Sequence, residues 1–364
     1  MHYPPPIHGA AVIGGLIRES RLIREQFECR FINLSLSKEI NEIGRHSFKK
    51  FVNYPVLLVK VFFIIVFFRP HLCYLTPYSY GKGFYKDFPI IFLCRFFGIK
   101  SVFHYHNKGI VRKQENWFDN CLYRFSFRKS HVILLSHFLK EDVIKYVGED
   151  RIHYCANGIP FRIEPSRRGK DRKSSGDPGQ KVSILFLSNL IRSKGVYDLL
   201  EACIILKRNG VNFICNIVGD RGDIDPDVFS QQVIEKGLGD YLIYKGRKDD
   251  IEKESEFEEA DIFVHPSLDD CMPLVIIEAM QHSLPVVSTY VGAIPELVED
   301  GRTGYLVNQG DVSSLAEKLM ILIEDPEKRK KLGEEGLDRY RKNYTLELFE
   351  KRFLELLSTF TEQE

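Results

Sequence analysis

The strongest constraint on the fold is an alternation of short apolar runs with longer amphipathic stretches, which occurs twice along the 364 residues. In the first half the apolar runs are HLCYLT (71–76), SVFHYH (101–106) and HVILLS (131–136). In the second half they are KVSILFLS (181–188), NFICNIVG (212–219), YLIYKG (241–246), DIFVHPS (261–267) and LPVVST (284–289). Strand, helix, strand repetition predicts a parallel α/β sheet in each half, and the length suits two domains.

A polar segment separates the two halves. Residues 164–181 (EPSRRGKDRKSSGDPGQK) are basic, rich in Gly, Ser and Pro, and almost free of apolar side chains, as in a solvated linker. We therefore predict domains at 1–160 and 181–340, with a linker at 161–180. The C-terminal piece, 341–364, contains LELFEKRFLELLSTF, whose apolar spacing predicts a helix that could cap either domain.

The two halves differ in charge, although the formal net charge of the chain is only +1. Residues 1–180 hold 29 Lys and Arg against 15 Asp and Glu, whereas residues 181–364 hold 22 against 35. A basic half can serve nucleic acid, an anionic membrane surface or an anionic substrate. The sequence has no helix-turn-helix, zinc-finger or aromatic-basic RNA-binding pattern, so we expect no nucleic-acid partner.

Three other features bear on environment. The most hydrophobic run, 56–68 (VLLVKVFFIIVFF), contains Lys60 and is shorter than the roughly 20 residues of a membrane span, so it predicts a buried helix. The eight cysteines lack C-x-x-C spacing and no signal peptide precedes them, which favours reduced, buried thiols in the cytoplasm. Only Met1 and His2 precede the loop-like YPPPIHGAAVIGG, so we expect a truncated first strand, the alternative being a sheet without it.

The stretch DDCMPLVIIEAM (269–280) is the main candidate for a site. It follows a predicted strand, at the sheet edge where open α/β sheets bind ligands, and a helix beginning near Pro273 offers unpaired N–H groups to a phosphate. Glu278 lies among apolar residues of that helix, where a carboxylate is costly unless it accepts strong hydrogen bonds. No cation is obviously paired with it locally. A ribose diol could supply two donors, and backbone N–H groups of a neighbouring loop are the structural alternative.

The segment around this stretch resembles a known family. The run HPSLDDCMPLVIIEAMQHSLPVVSTYVGAIPELVEDGRTGYLV (265–307) resembles the nucleotide-sugar-binding core of the GT-B retaining glycosyltransferases of family 4, the glycosyl transferases group 1. The hallmark of that core is two acidic residues separated by seven others. The resemblance implies that Glu278 binds the donor ribose and that Asp270 contacts the transferred sugar. Asp270 replaces the usual Glu, and Cys271 takes a place often held by Gly.

The resemblance continues upstream of this core. LSNLIRSKGVYDLLEA (187–202) is similar to the family segment whose lysine contacts the donor diphosphate, which is Lys194 here. The family's arginine position is occupied by Asn189, and Arg192 is the candidate to supply that charge, with a solvated surface role as the alternative. IVGDRGD (217–223) is similar to the turn near the nucleotide base, with Gly219 as the residue of close approach.

The first half resembles the family more loosely. YPPPIHGAAVIGG is similar to the family's glycine-containing loop over the donor phosphates, with Gly9 as the matching glycine. FHYHNKG (103–109) resembles the strand end whose histidine faces the donor sugar, and alternation puts His104 and His106 on one side of the strand. His106 lies nearer the loop and is the predicted site residue, the alternative being a core histidine.

The resemblance implies an α/β fold of the GT-B type, in which two Rossmann-like doubly wound domains face a central cleft and the C-terminal helix packs back on the first domain. The implied function is transfer of a sugar, with retention, from a nucleoside-diphosphate sugar to a hydroxyl of a glycan or lipid-linked glycan, in the biosynthesis of a capsule, O-antigen or exopolysaccharide. The implied catalytic residues are His106, Asp270 and Lys194. The implied donor-binding residues are Gly9, Gly219, Asn189, Arg192, Lys194, Asp270, Met272, Pro273, Leu274 and Glu278.

We expect no metal or other cofactor. The Asp-x-Asp pattern in DIDPD (223–227) lies in a polar loop and is predicted to be solvated. The expected partners are the donor, the acceptor and, through the basic half, an anionic membrane surface, which suggests a cytoplasmic protein at the inner face of the membrane. Two alternatives stay open: a catalytically silent nucleotide-sugar-binding subunit, and a GT-B epimerase acting on a UDP-sugar.

Overall fold

A computed structural model describes residues 1–35, 48–162 and 181–362 of the chain. The predicted linker at 161–180 lies almost wholly outside these residues. The chain divides into two compact units, one formed by Met1–Gly158 with Leu346–Glu364 and the other by Ile159–Thr345. The sequence-based boundaries are 160 and 341.

The first unit is built on a sheet of four parallel strands in the order β1-β2-β3-β4. The strands are β1 Leu72–Leu75, β2 Lys100–Tyr105, β3 His131–Leu134 and β4 Ile152–Tyr154. The helices that precede or connect them are α1 Gly9–Glu19, α2 Arg21–Gln26, α3 Phe48–Phe63, which continues as a π-helical turn over Ile64–Phe68, α4 Gly81–Phe96 and α5 Trp117–Phe127. β2 is buried at nearly every residue, as expected of a parallel strand covered on both faces.

The N-terminal segment lies beside the end of β1. The amino group of Met1 donates to Ile32 O at 3.1 Å, and the His2 N–H donates to Thr76 Oγ1 at 2.9 Å. A Cβ added to Gly14 of α1 would lie 1.8 Å from His2 O, so this packing requires glycine. Gly9, predicted to lie in the loop, is instead the first residue of α1, and the side chain of His8 caps that helix.

The second unit is built on a sheet of six parallel strands in the order β10-β9-β8-β5-β6-β7. The strands are β5 Val182–Leu187, β6 Phe213–Val218, β7 Leu242–Gly246, β8 Ile262–His265, β9 Val286–Thr289 and β10 Gly304–Val307. The helices are α6 Val196–Arg208, α7 Pro226–Glu235, α8 Asp250–Glu259, α9 Leu274–Gln281, α10 Ile294–Leu297, α11 Val312–Glu324 and α12 Pro326–Asn343. The core forms where apolar side chains of β5, β6 and β8 pack against α6 and α11.

The last helix, α13 Leu346–Glu362, returns to the first unit. The Phe353 ring lies 5.2 Å from the Tyr74 ring of β1, and the Phe360 ring lies 5.0 Å from the His131 ring of β3. This return and the two parallel sheets agree with the predicted architecture.

Two expectations about burial are wrong. Residues 56–68 are helical as predicted, but only one side of the helix is buried, through Leu57, Val61 and Ile65, whereas Phe67 is 75% exposed. None of the eight cysteines, all of which the structure describes, forms a disulfide, but Cys121 is exposed rather than buried. Among the described residues, no helix combines the length and the apolarity needed to cross a membrane.

Candidate functional site

Two predicted site residues, Lys194 and Asp270, form an ion pair in the second unit. Lys194 Nζ lies 2.6 Å from Asp270 Oδ2, and both side chains are largely buried. The pair forms because β5 and β8 are neighbours in the sheet, so the loops that follow these parallel strands meet at one edge. The structure therefore brings a cation and a carboxylate together at the sheet edge where the sequence predicts the donor site.

A glycine allows the two loops to come this close. Gly195, with a φ of +76°, follows the turn Arg192–Lys194, and a Cβ at this position would lie 1.9 Å from Pro266 O. On the other side of the lysine, Ser193 O accepts hydrogen bonds from the N–H groups of Leu268 and Asp269, at 2.8 and 3.1 Å. The backbone of the lysine turn is thus held directly against the loop that carries Asp270.

We expect Gly195→Ala to destabilise the protein by about 3 kcal/mol, because a left-handed alanine costs roughly 1–2 kcal/mol and forced overpacking roughly 1–3 kcal/mol. Gly210→Ala is the matched control, since Gly210 also has a positive φ, of +69°, but an added Cβ there meets no atom within 4 Å. The control has the cost of the left-handed conformation without the overlap and should therefore lose only about 1–2 kcal/mol. Urea unfolding measures both changes in the free energy of unfolding. Equal losses in the two variants would show that the loop at Pro266 can shift to accommodate the added Cβ without loss of stability.

Asp270 has a second partner, His265, which the sequence analysis does not single out. His265 is the last residue of β8, and its Nε2 lies 3.0 Å from Asp270 Oδ2. Asp270 Oδ1 accepts a hydrogen bond from the Cys271 N–H at 3.0 Å. Burial alone would raise the pKa of the Asp270 carboxyl, but the His265 hydrogen bond and the Lys194 charge together hold this pKa well below its usual range. Asp270 is therefore an anion at neutral pH.

Glu278 also faces a cation. Its Oε1 accepts a hydrogen bond from Lys253 Nζ of α8 at 2.8 Å, and both side chains are largely buried. The inference that no cation pairs with Glu278 is therefore wrong, and the observed partner is also not the backbone N–H of the structural alternative. The second carboxylate oxygen, Oε2, is buried and has no hydrogen-bond partner among the described residues. This oxygen can accept a hydrogen bond from a hydroxyl donor.

The helix that carries Glu278 begins at Leu274, and Pro273 is its N-cap rather than its first residue. No side chain among the described residues caps this end, so its first N–H groups can serve an anion. The preceding loop, with Met272 buried, is supported by Gly292, because a Cβ at this position would lie 2.3 Å from Asp270 O. Sequence spacing does not indicate this glycine.

The other residues predicted to bind the donor in this unit lie at the ends of β5 and β6. Asn189 Oδ1 accepts a hydrogen bond from the Asp220 N–H at 3.1 Å, which ties the two loops together. A Cβ added to Gly219 would lie 1.9 Å from Ser188 O. In this structure, the segment that Gly219 approaches closely is therefore the loop after β5. The donor contacts predicted for Asn189 and Gly219 stay predictions.

Arg192 is exposed, and its guanidinium lies 5.2 Å from the centre of the Tyr197 ring. The Arg192 N–H donates to Asp223 Oδ1 at 2.9 Å. Asp225 caps α7 by accepting a hydrogen bond from the Asp227 N–H. The carboxylates of Asp223 and Asp225 are thus used in loop and helix-end hydrogen bonds. Across the described residues, no cluster of three His, Cys, Asp or Glu side chains is arranged to hold a metal ion.

In the first unit, His106 follows β2, and both its ring nitrogens are buried without a hydrogen-bond partner among the described residues. Its ring centre lies 4.2 Å from that of His104, as expected for two residues on the same side of a strand. His104 Nδ1 is hydrogen-bonded to the Tyr74 hydroxyl at 2.9 Å. Burial lowers the pKa of His106 to about 3, and nearby His8 contributes. His106 is therefore neutral at neutral pH and can exchange hydrogen bonds with hydroxyl groups.

His8, beside Gly9, is a second feature that sequence spacing does not indicate. Its Nδ1 caps α1 by accepting a hydrogen bond from the Ala11 N–H at 3.3 Å. Its Nε2 is buried without a partner in the described part of the chain. Burial lowers the pKa of His8 as well. The roles predicted for Gly9 and His106 stay predictions.

Comparison with known proteins gives a family match over part of the chain. Residues 167–339 match the family model described as glycosyl transferases group 1. We call these residues the group 1 segment. The group 1 segment contains Lys194, His265, Asp270 and Glu278, so the whole loop and helix constellation of the second unit lies within it.

Several curated proteins with sequence similarity to this chain are glycosyltransferases. The amylovoran biosynthesis glycosyltransferase AmsK of Erwinia amylovora is 36% identical over 149 residues, which cover 39% of this chain and 36% of AmsK. Other relatives are matched over 42% to 62% of their lengths, so the chain spans about half the length of the curated relatives it matches.

Two solved structures show the same fold. The Anabaena protein HepE, in complex with UDP, superposes with a TM-score of 0.70 at 22% identity, covering 84% of this chain and 82% of HepE. WaaG, a glycosyltransferase involved in lipopolysaccharide biosynthesis, has a TM-score of 0.66 at 15% identity, covering 98% of this chain and 97% of WaaG. The predicted α/β fold of the GT-B type is thereby confirmed.

Proposed function

We propose that this protein is a retaining glycosyltransferase that moves a sugar from a nucleoside-diphosphate sugar to a hydroxyl of a glycan or lipid-linked glycan. The observation that carries the proposal is the largely buried Lys194–Asp270 pair, in the loop region just ahead of the uncapped N-terminus of α9 and within the group 1 segment. The pathway we propose is the biosynthesis of a capsule, O-antigen or exopolysaccharide. AmsK and WaaG, whose names refer to amylovoran and lipopolysaccharide biosynthesis, support this choice.

The chemical demand of the reaction is stabilisation of the departing diphosphate. As the bond between the anomeric carbon and the diphosphate oxygen breaks, negative charge develops on the leaving group. Preorganised donors aimed at developing charge are usually the largest catalytic term. Lys194 supplies an ammonium and α9 supplies backbone N–H groups, with Asp270 and Ser193 O holding the lysine turn in position. We propose that this charge is stabilised by protein groups, with no metal ion or cofactor.

The donor nucleoside would be held about one turn further along the same helix, at Glu278. Glu278 has one oxygen bonded to Lys253 and a second, buried oxygen that can accept a ribose hydroxyl hydrogen bond. A carboxylate is a stronger acceptor for a hydroxyl than a neutral group. UDP is the nucleotide in the HepE complex, and a uridine donor is therefore the first candidate to test.

We place the protein in the cytoplasm, as a peripheral protein at the inner face of the membrane. The support for this position is the excess of Lys and Arg in residues 1–180, where the other half of the chain carries an excess of Asp and Glu. Anionic lipids attract basic protein surfaces by about 1 kcal/mol per Lys or Arg close to the membrane.

The direct test is the melting temperature of the protein against a panel of UDP-, GDP- and ADP-sugars, followed by product analysis. A donor at 100 times its Kd should stabilise the fold by about 2.7 kcal/mol, for one nucleotide class only. A well-folded protein that responds to no nucleotide would contradict the proposal. Donor binding without transfer to any acceptor would indicate a catalytically silent subunit, and an epimeric product formed from donor alone would indicate an epimerase.

A further inference from the structure

The surface of the first unit exposes an apolar side of α3. In the run 56–68, one side of the helix is buried, at Leu57, Val61 and Ile65. A second side of the same helix is exposed and also apolar. Its residues are Val56, Val59, Phe63 and Phe67. A soluble helix normally places polar residues on its outer side. The outer side of this helix carries Lys60 as its only charged residue between 56 and 68.

The exposed rings of α3 continue onto the two neighbouring helices. A series of ring contacts, each between 5.3 and 6.2 Å, leads from α3 through α4 to α5. The six rings in this series are Phe63, Phe62, Phe97, Phe96, Phe92 and Phe125. Phe67 extends the series beyond Phe63, at 5.6 Å. We call these seven phenylalanines the aromatic face. Their exposed fractions range from 37% to 75%, which is unusual for so many contacting rings.

The segments that carry the aromatic face are rich in basic residues. Residues 53–130, which include all seven rings, contain twelve Lys and Arg and three acidic residues. Asp87 and Asp119 are buried, and Glu115 is paired with Lys145 at 3.1 Å. The Arg95 guanidinium lies 6.0 Å from the Phe125 ring at one end of the face. Next to Phe125, a shallow hollow is lined by five cationic side chains and Tyr146: Arg124, Arg128, Lys129, Lys145 and Arg151.

We propose that the aromatic face is a docking surface for an anionic lipid bilayer, with the phenylalanines entering the interfacial region and the surrounding cations binding lipid phosphates. The combination matches the chemistry of an interface, since apolar burial and electrostatic attraction to anionic lipids both contribute to peripheral binding. This inference rests on the proposed function and deepens it, because a lipid-linked acceptor lies at a membrane surface. The charge distribution favours lipid over a second copy of the chain, because two such basic faces would repel each other.

The only tryptophan of the chain can report this docking. Trp117 is the first residue of α5, is 78% exposed, and precedes Phe118, whose ring lies 6.1 Å from Tyr85 of α4. A tryptophan at this place is in water in the free protein and reaches the lipid interface when the face docks. Its emission should then shift to shorter wavelength, without any label.

The experiment is sedimentation of the full chain with vesicles of phosphatidylcholine alone or with about 30% phosphatidylglycerol, at low salt. We expect binding to the anionic vesicles, a blue shift of Trp117 emission, and loss of binding at high salt. In the double variant Phe67→Glu, Phe96→Glu, which changes the two most exposed rings of the face, the apparent affinity should fall at least about tenfold. Ile234→Glu, at a residue of α7 that is 64% exposed, is the control and should bind as the unchanged protein does.

Several outcomes would overturn the inference. These are no sedimentation with either vesicle, equal binding to neutral vesicles, a double variant that binds like the unchanged protein, or binding without a change in Trp117 emission. A dimer in light scattering that the double variant dissociates, with no vesicle binding, would assign the face to self-association and also overturn it. The melting-temperature response to nucleotide sugars, measured on the same double variant, should be unchanged. A loss of vesicle binding with a retained response thus separates this inference from the proposed function.

Discussion

Lys194→Ala is expected to lower kcat by about 10²- to 10³-fold, a loss of roughly 2.7–4 kcal/mol of transition-state stabilisation. The reason is that the ammonium lies at the sheet edge beside the α9 N-terminus, where the diphosphate charge of the proposed reaction develops. The effect should fall mainly on kcat rather than on KM, because charge on the leaving group increases between ground state and transition state. Steady-state kinetics with the donor class found in the thermal panel measures both.

The stability of the same variant must be measured alongside. Asp270 would lose its cation but keep His265 Nε2 and the Cys271 N–H, so we expect a loss of only about 1–3 kcal/mol. Lys236→Ala is the matched control, since Lys236 forms an ion pair with Glu201 at 2.7 Å in the same unit but on its exposed surface. The control should change stability and kcat little. If Lys194→Ala loses stability while kcat falls less than about threefold, Lys194 is only the structural partner of Asp270.

Glu278→Gln is expected to weaken donor binding by about 10- to 100-fold, which matches the 1.5–3 kcal/mol of a hydrogen bond to a charged group. The amide keeps the size of the side chain but loses the negative charge and one acceptor. At a nucleotide concentration of 100 times the Kd of the unchanged protein, the stabilisation should therefore fall from about 2.7 kcal/mol to about 0.4–1.4 kcal/mol, with a correspondingly smaller rise in melting temperature. Isothermal titration with the free nucleoside diphosphate gives the change in Kd directly.

A second variant separates the two roles of this carboxylate. Lys253→Met removes the observed partner of Glu278 Oε1 but leaves the carboxylate itself. If Glu278 binds the donor ribose, Lys253→Met keeps the nucleotide response, although it destabilises the protein. If Glu278 only neutralises Lys253, both variants lose stability and both retain the nucleotide response, and the predicted ribose contact is wrong.

Most strands of both sheets could be predicted from the sequence, because parallel strands covered on both faces are continuous apolar runs bounded by turn residues. The eight runs quoted from the sequence overlap eight strands of the structure. The two strands that no run predicts, β4 Ile152–Tyr154 and β10 Gly304–Val307, lie at the edges of their sheets, and β10 contains a glycine, which is uncommon inside strands. Only glycine fits at position 304, because a Cβ there would lie 2.0 Å from Val286 O of β9.

The partial exposure of α3 could not be predicted from periodicity. Its residues are apolar on nearly every side. That pattern fits a helix buried in a protein core and a helix placed against lipid equally well. Only the positions of α4 and of the sheet decide which side, that of Leu57, Val61 and Ile65, is covered. The prediction of a buried helix was wrong for this reason.

By itself, the sequence determined the α/β class, because strand patterning is a property of neighbouring residues along the chain. Through its resemblance to a family, it also supplied the candidate residues Lys194, Asp270 and Glu278. Tertiary structure alone decided the partners of those residues. Lys194 meets Asp270 across 76 positions, and Glu278 meets Lys253 across 25, because loops after adjacent strands and the packing of α8 near α9 bring them together. His265 joins Asp270 for the same reason, since a strand end and the loop after it share one sheet edge. Pairing across a sheet depends on strand order, and strand order is not encoded in the spacing of any single segment.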